Sequence, residues 1–143
     1  MSQGKKSGQV ARAWGLNTAR KIAIKIGATK PQGVSNACIH RKRRVAIKCA
    51  RRKNRKVEVS FHMLQELDFV YGAFFPKDHI CFVWKLPAKD FKELATPRNI
   101  RQSREKVRTR AQISKKKFEK YGALIYLRNS RSGLSRQYSN GKK

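Results

Sequence analysis

Arg43-Arg44-Val45-Ala46-Ile47-Lys48-Cys49-Ala50 alternates, with Val45, Ile47 and Cys49 on one face and Ala46, Lys48 and Ala50 on the other. A period of two over this length is the pattern of a half-buried β-strand. The lysine falls mid-strand between two alanines, on what the pattern makes a small concave face. Upstream, residues 36–40 read as a first strand, joined through the basic turn Arg41-Lys42-Arg43. A hairpin with one inward lysine is therefore the predicted start of the core.

N-terminal to the hairpin, residues 1–8 read as a polar basic leader. Residues 9–27 read as a helix in two pieces. Val10, Ala13 and Trp14 share a face, Gly15-Leu16-Asn17 interrupts, and Ile22, Ala23 and Ile26 resume before Gly27 stops the helix. The Ala11 to Gly15 spacing is also compatible with a helix-turn-helix, although Lys21 falls where that motif wants an apolar residue. C-terminal to the hairpin, Arg51–Lys56 has no apolar anchor and reads as a cationic loop. Val57, Val59 and Phe61 then alternate as a third strand, followed by a short helical turn at Met63, Leu64 and Leu67. Two apolar runs, Phe69–Phe75 and His79–Trp84, flank Pro76-Lys77-Asp78 and read as a buried antiparallel pair. Ala88–Leu94 is a predicted short helix. Residues 98–110 are too sparse in apolar groups for a core helix and read as an arm. Ser114 caps a last helix that turns Phe118, Tyr121, Leu124 and Ile125 inward. The predicted organisation is a leader (1–8), one core (9–127) that includes a basic arm (97–113), and a basic tail (128–143).

Charge narrows the partner. Residues 1–57 hold seventeen Lys and Arg and no Asp or Glu; 58–95 hold four basic and six acidic residues; 96–143 hold fifteen and two. A nearly neutral, aromatic-rich middle is thus flanked by segments that repel themselves unless a polyanion lies beside them. Nucleic acid is the expected partner, and no membrane-spanning or signal-like stretch occurs. Cys38, Cys49 and Cys81 fall in predicted strands without metal-ligand spacing, which reads as small buried hydrophobes in an intracellular, reducing compartment. His40, His62 and His79 are scattered strand-end or turn residues, so no metal site is expected.

The order helix, hairpin, strand, short helix, strand pair, short helix resembles the PD-(D/E)xK nuclease superfamily, in particular its small endonucleases encoded by group I introns. The residues that carry the likeness are Pro31 with Ser35-Asn36, Val45-Ala46-Ile47-Lys48 after the basic turn, and Val57-Glu58-Val59-Ser60-Phe61. Asp68-Phe69-Val70-Tyr71-Gly72, Ile80–Asp90 and Lys117-Phe118-Glu119-Lys120-Tyr121 complete it. The resemblance implies an α/β (α+β) fold, a restriction-endonuclease-like mixed sheet flanked by helices. It also implies Mg²⁺ held by carboxylates, beside a lysine that orients the attacking water. Carried over by position, Lys48 matches that lysine, Asn36 stands where the Asp belongs and Ala46 where a Glu or Gln belongs. Gln9 lies where a helical acid would stand. A site without its carboxylates repels a divalent cation, so the expectation is a degenerate active site and no cofactor.

The leading expectation is a non-catalytic protein binding nucleic acid, RNA favoured over DNA, as a ribosomal or other ribonucleoprotein subunit. Its phosphate contacts are expected from Arg41, Lys42, Arg43 and Arg44, from Lys48, and from Arg51, Arg52, Lys53, Arg55 and Lys56. Arg98, Arg101, Arg104, Arg108 and Arg110 in the arm extend the set, followed by Lys115, Lys116 and Lys117. Arg128, Arg131 and Arg136 in the tail complete it, with Tyr138 to stack on a base. The alternatives are an active, Mg²⁺-dependent, sequence-specific homing endonuclease, homo-oligomeric, in which Asn36 is an inactivating replacement, and a helix-turn-helix regulator using residues 9–27.

Overall fold

The computed structural model describes the backbone of residues 2–29, 37–51, 56–101 and 107–138, and the side chains of 13–29, 37–51, 56–96 and 110–138. Its elements in chain order are α1 (Ser2–Ile26), β1 (Ala37–His40), β2 (Arg43–Arg51), β3 (Lys56–Ser60), α2 (Phe61–Leu64), β4 (Phe69–Lys77) and β5 (Ile80–Pro87). α3 (Ala88–Leu94), β6 (Thr96–Arg101), β7 (Val107–Ser114), α4 (Lys115–Tyr121), β8 (Ala123–Asn129) and β9 (Leu134–Gln137) follow. The class is mixed α and β, as the sequence predicts. A curled six-stranded sheet runs β1-β2-β4-β5-β8-β9, and a second, three-stranded sheet runs β3-β7-β6.

α1 is one continuous helix from Ser2, so the basic leader is helical and the expected break at Gly15-Leu16-Asn17 does not occur. Ala19, Ile22, Ala23 and Ile26 recur at i, i+3, i+4 and i+7 and are all buried. That stripe outweighs the roughly 1 kcal/mol a mid-helix glycine costs. The helix does end at Gly27, which takes φ +80°, while the Ala28 N–H donates to the Ala23 carbonyl at 2.8 Å. This is a Schellman-type stop. With no internal turn across residues 9–26, α1 is a single helix and not a helix-turn-helix.

β2 pairs antiparallel with β1 and parallel with β4, which makes it an interior strand of the sheet. Its alternation is as read, but both faces are covered rather than one. Val45 and Ile47 pack with α1, Tyr71, Ala73 and Val83 in one core. Ala46 and Ala50 pack with Val57, Leu64, Phe74, Phe91 and Phe118 in another. Each fully buried Val, Ile or Phe contributes roughly 1.5–3 kcal/mol, so the two layers together clamp the sheet.

Val57 and Val59 of the expected third strand leave the main sheet. They face the second core from β3, which pairs with β7, while Phe61 already begins α2. The arm expected at 98–110 is instead the β6–β7 hairpin. Ala111 and Ile113 are its buried positions, at 0% and 1% exposure. Residues 128–138 of the expected tail are also structured: Arg128 belongs to β8, and β9 adds an edge strand beside it, while 139–143 lie outside the described residues. The β4–β5 turn is Asp78-His79, one step beyond the predicted Pro-Lys-Asp. Ser114 does cap α4, its Oγ accepting from the Lys117 N–H at 3.3 Å. Tyr121 is half exposed rather than inward, and Ile125 is buried from a strand instead of from that helix.

Candidate nucleic-acid interface

Strand parity decides which cations can act together. Along β2 the odd-numbered residues face α1, so Arg43 and Arg51 emerge on the side of Val45 and Ile47, while Lys48 emerges on the opposite side with Ala46 and Ala50. On β5, Cys81 and Val83 share the α1 side, which puts Lys85 there as well. Arg128 pairs with Cys81 across β5 and β8 and joins the same face.

These side chains line a chain of cavities beside α1. One of about 350 Å³ is bounded by Trp14, Lys21, Arg51, Asp78 and Arg128. Thr18, Lys21, Phe75 and Arg128 continue into a small one that also touches Lys25. Gln137 donates from Nε2 to the Lys25 carbonyl at 2.7 Å and leads to a third cavity of about 220 Å³, where Arg41, Arg43 and Lys85 converge. From Trp14 to Ile26 the helix covers about 18 Å at 1.5 Å per residue. The three cavities form a basic row of about that length, a groove bridged where Gln137 meets Lys25, with Asp78 as the carboxylate among its described lining.

Trp14 anchors one end. Its ring meets Phe75 edge-on, with centroids 5.5 Å apart, and the Arg51 guanidinium lies 4.2 Å from the Trp14 centroid. Nearby, Arg128 lines two of the cavities, while its Nε is buried without a hydrogen-bond partner.

The other end is built on the β1–β2 turn. Arg41 and Lys42 take φ +52° and +69° in a two-residue hairpin. Positive φ at both central residues is the signature of a type I′ turn, which favours Asn-Gly. Two long cationic side chains held there cost on the order of 1 kcal/mol each, and strain of this kind gathers at functional sites. Behind the turn, His40 is buried. Its Nε2–H donates to the Ile26 carbonyl at 3.2 Å, and its Nδ1 accepts from the Tyr71 hydroxyl at 2.5 Å. The Ile26 carbonyl fixes a proton on Nε2, and burial together with the Arg41 charge lowers the imidazole pKa below the usual 6.5, which favours the neutral ring. Burial pushes the Tyr71 phenol up to about 12. Lys85, lowered by burial and by Arg41, lies with Nζ 4.9 Å from the Phe69 ring centroid.

The position matched to a nuclease lysine lies elsewhere. Lys48 is half-buried on the second-core side; burial, then the Arg110 charge, lowers its pKa. Arg110 Nε is likewise buried without a partner. Gly72, the register partner of Lys48, carries no side chain, and a Cβ there would come within 2.9 Å of the Phe118 ring. Ala46 is fully buried and offers no ligand atom. Glu58, the nearest carboxylate in sequence, accepts from Gln112 Nε2 at 2.5 Å. Among the described residues no three His, Cys, Asp or Glu side chains gather in one place. Among the described residues this position is flanked by two cationic side chains and no carboxylate, a setting that does not fit a divalent cation. Asn36 lies outside the described residues, and so does the side chain of Gln9.

Of the predicted contact residues, the structure brings Arg41, Arg43, Arg51, Arg128 and Tyr138 to the groove. Arg44 points the other way; its N–H is taken by Asp68 Oδ2 at 2.9 Å. Lys56 lies at the exposed start of β3, and Arg131 and Arg136 are exposed on the β8–β9 hairpin. Lys115 pairs with Glu119 at 3.2 Å, and Lys117 Nζ donates to the Leu94 carbonyl at 2.8 Å, so both stabilise α4 and its surroundings. Lys116 is exposed beside them. Arg52, Lys53, Arg55 and Arg104, and the side chains of Arg98, Arg101 and Arg108, lie outside the described residues. The groove adds Trp14, Lys21, Lys25, Phe69, Tyr71 and Lys85, which sequence reasoning did not select. The i, i+4 spacing of Lys21 and Lys25 was the available signal.

Against this geometry, no family model matches the chain, and neither do curated proteins or solved structures. Among the described residues, no helix is long and apolar enough to cross a membrane.

Proposed function

We propose that this is a non-catalytic nucleic-acid-binding protein that holds structured RNA along the groove beside α1, as a component of a ribonucleoprotein. The observation that carries the reading is charge. With 36 basic and 8 acidic residues, even complete ion pairing inside the chain leaves 28 cations without a carboxylate. A polyanion is the partner that relieves such a surplus, by release of its condensed counterions. The groove supports RNA over a regular duplex because its aromatic walls suit unstacked bases, which RNA loops and bulges provide. A nuclease-like ancestry for the hairpin that bears Lys48 belongs to the same proposal. Metal-dependent cleavage does not, since the position lacks carboxylate ligands.

The test is to purify the full chain and analyse what accompanies it. RNase-sensitive absorbance at 260 nm is expected, together with a mobility shift of hairpin RNA. Absence of both overturns the proposal. Incubation of bound RNA and DNA with Mg²⁺ or Mn²⁺ is expected to leave them intact; cleavage that is abolished in an Asn36→Ala, Lys48→Met variant refutes the non-catalytic half, whereas cleavage that survives it comes from another source.

A further inference from the structure

We infer that the cavity at the C-terminal end of α1 receives one unstacked nucleotide of the bound strand, its phosphate held by Arg41, Arg43 and Lys85 and its base against Phe69 and Tyr138, over the buried Tyr71. This deepens the groove reading and rests on it. The cavity measures about 220 Å³ and has two kinds of wall. One is cationic, with three basic side chains and, among its described lining, no carboxylate. The nearest acid by sequence, Asp68, is committed to backbone: Oδ2 accepts from Arg44 N–H at 2.9 Å, and the Asp68 N–H donates to the Arg44 carbonyl at 2.8 Å. The other wall is apolar and aromatic, closed by Ile26 and Ile125.

A bare phosphate would satisfy the first wall and leave the second uncovered; an apolar ligand would do the reverse. A nucleoside monophosphate unit covers both. A stacked, paired base cannot enter a concavity, so the unit must come from a bulge, a loop or a strand end. The cavity is preformed rather than collapsed. Tyr71 is fixed by its hydrogen bond to His40, which in turn is tied to Ile26, and the Tyr138 N–H donates to the Ile125 carbonyl at 2.8 Å. The strained Arg41-Lys42 turn holds its cations at the rim. Gln137 supplies a polar group that can discriminate among bases, although its Nε2 is already donating to Lys25.

The experiment uses the full chain and its Arg43→Gln and Lys85→Met variants, with Lys85→Arg as the conservative control. Adenosine and uridine 5′-monophosphate are titrated by NMR, against adenosine and inorganic phosphate. Hairpin RNAs with and without one unpaired nucleotide are titrated in parallel. The mononucleotides are expected to bind at least tenfold tighter than either fragment. The bulged hairpin is expected to bind about fivefold tighter than the paired one, a preference lost in Arg43→Gln and Lys85→Met and kept in Lys85→Arg. Inorganic phosphate binding as well as the mononucleotides makes this an anion site and overturns the inference. So does equal affinity for the two hairpins when neither mononucleotide binds, which leaves RNA binding itself intact. Mononucleotide binding without any RNA binding overturns the groove reading and, with it, the inference that the nucleotide belongs to a bound strand, leaving a site for free nucleotides.

Discussion

The Arg51 guanidinium lies over the Trp14 ring at 4.2 Å from its centroid, joining the last residue of β2 to the middle of α1. The contact turns two separate elements into one wall. Arg51 thereby becomes a positioned cation at the mouth of a groove, where an unattached arginine on a strand end would sweep freely through solvent.

Gly15 is an interior glycine of the continuous helix α1 with open space around it, since a Cβ there would meet nothing within 4 Å. Gly15→Ala is expected to raise stability by about 0.5–1 kcal/mol. Thermal unfolding checks this; destabilisation would mean that the helix breaks there.

The left-handed Arg41-Lys42 turn trades stability for cation placement. Arg41→Asn with Lys42→Gly suits a type I′ turn and is expected to add about 1–2 kcal/mol of stability. The same change should weaken RNA binding several-fold. Denaturant unfolding and mobility shift on one preparation test both halves.

Lys48 is half-buried beside Arg110, and among the described residues no carboxylate lowers the cost of its charge. Lys48→Met is therefore expected to stabilise the fold by about 1 kcal/mol or more, and to leave RNA affinity within twofold because Lys48 faces away from the groove. The folded-state pKa of Lys48 is lowered below 10.5. The unfolded chain therefore binds this proton more tightly, and wild-type stability should gain from this residue as pH rises toward 10.5. The Met variant should lose that gain.

His40 acts in the same sense at lower pH. Its folded pKa is lowered below 6.5, so the neutral, hydrogen-bonded imidazole contributes fully above that value. The contribution is lost as pH falls from 6.5 through the folded pKa. The melting temperature should drop between about pH 7 and pH 5, and His40→Gln should reduce the drop. An equal drop in both proteins would remove His40 as its source.

The period-two pattern of β2, the two apolar runs of β4 and β5, and the Ser114 cap were legible because each rests on adjacent residues. The β6–β7 hairpin was not, since Ala111 and Ile113 are few and small among arginines and take their burial from β3, more than fifty residues earlier. Gly15-Leu16-Asn17 looks like a break in sequence because the continuity of α1 depends on the sheet it covers. For the site, total charge was plain, but its arrangement was not. Lys48 looked central by strand position and lies on the wrong face, whereas Lys21, Lys25 and Lys85 gain their meaning only from strand order.

The salt dependence of RNA binding tests the central claim most directly. With Lys21, Lys25, Arg41, Arg43, Arg51, Lys85 and Arg128 on phosphates, log K should fall against log salt with a slope of about −5 for single-stranded contacts. Arg51→Gln with Arg128→Gln should make it shallower by about 1.4. A slope near zero, or one unchanged in the double variant, would contradict binding along the groove.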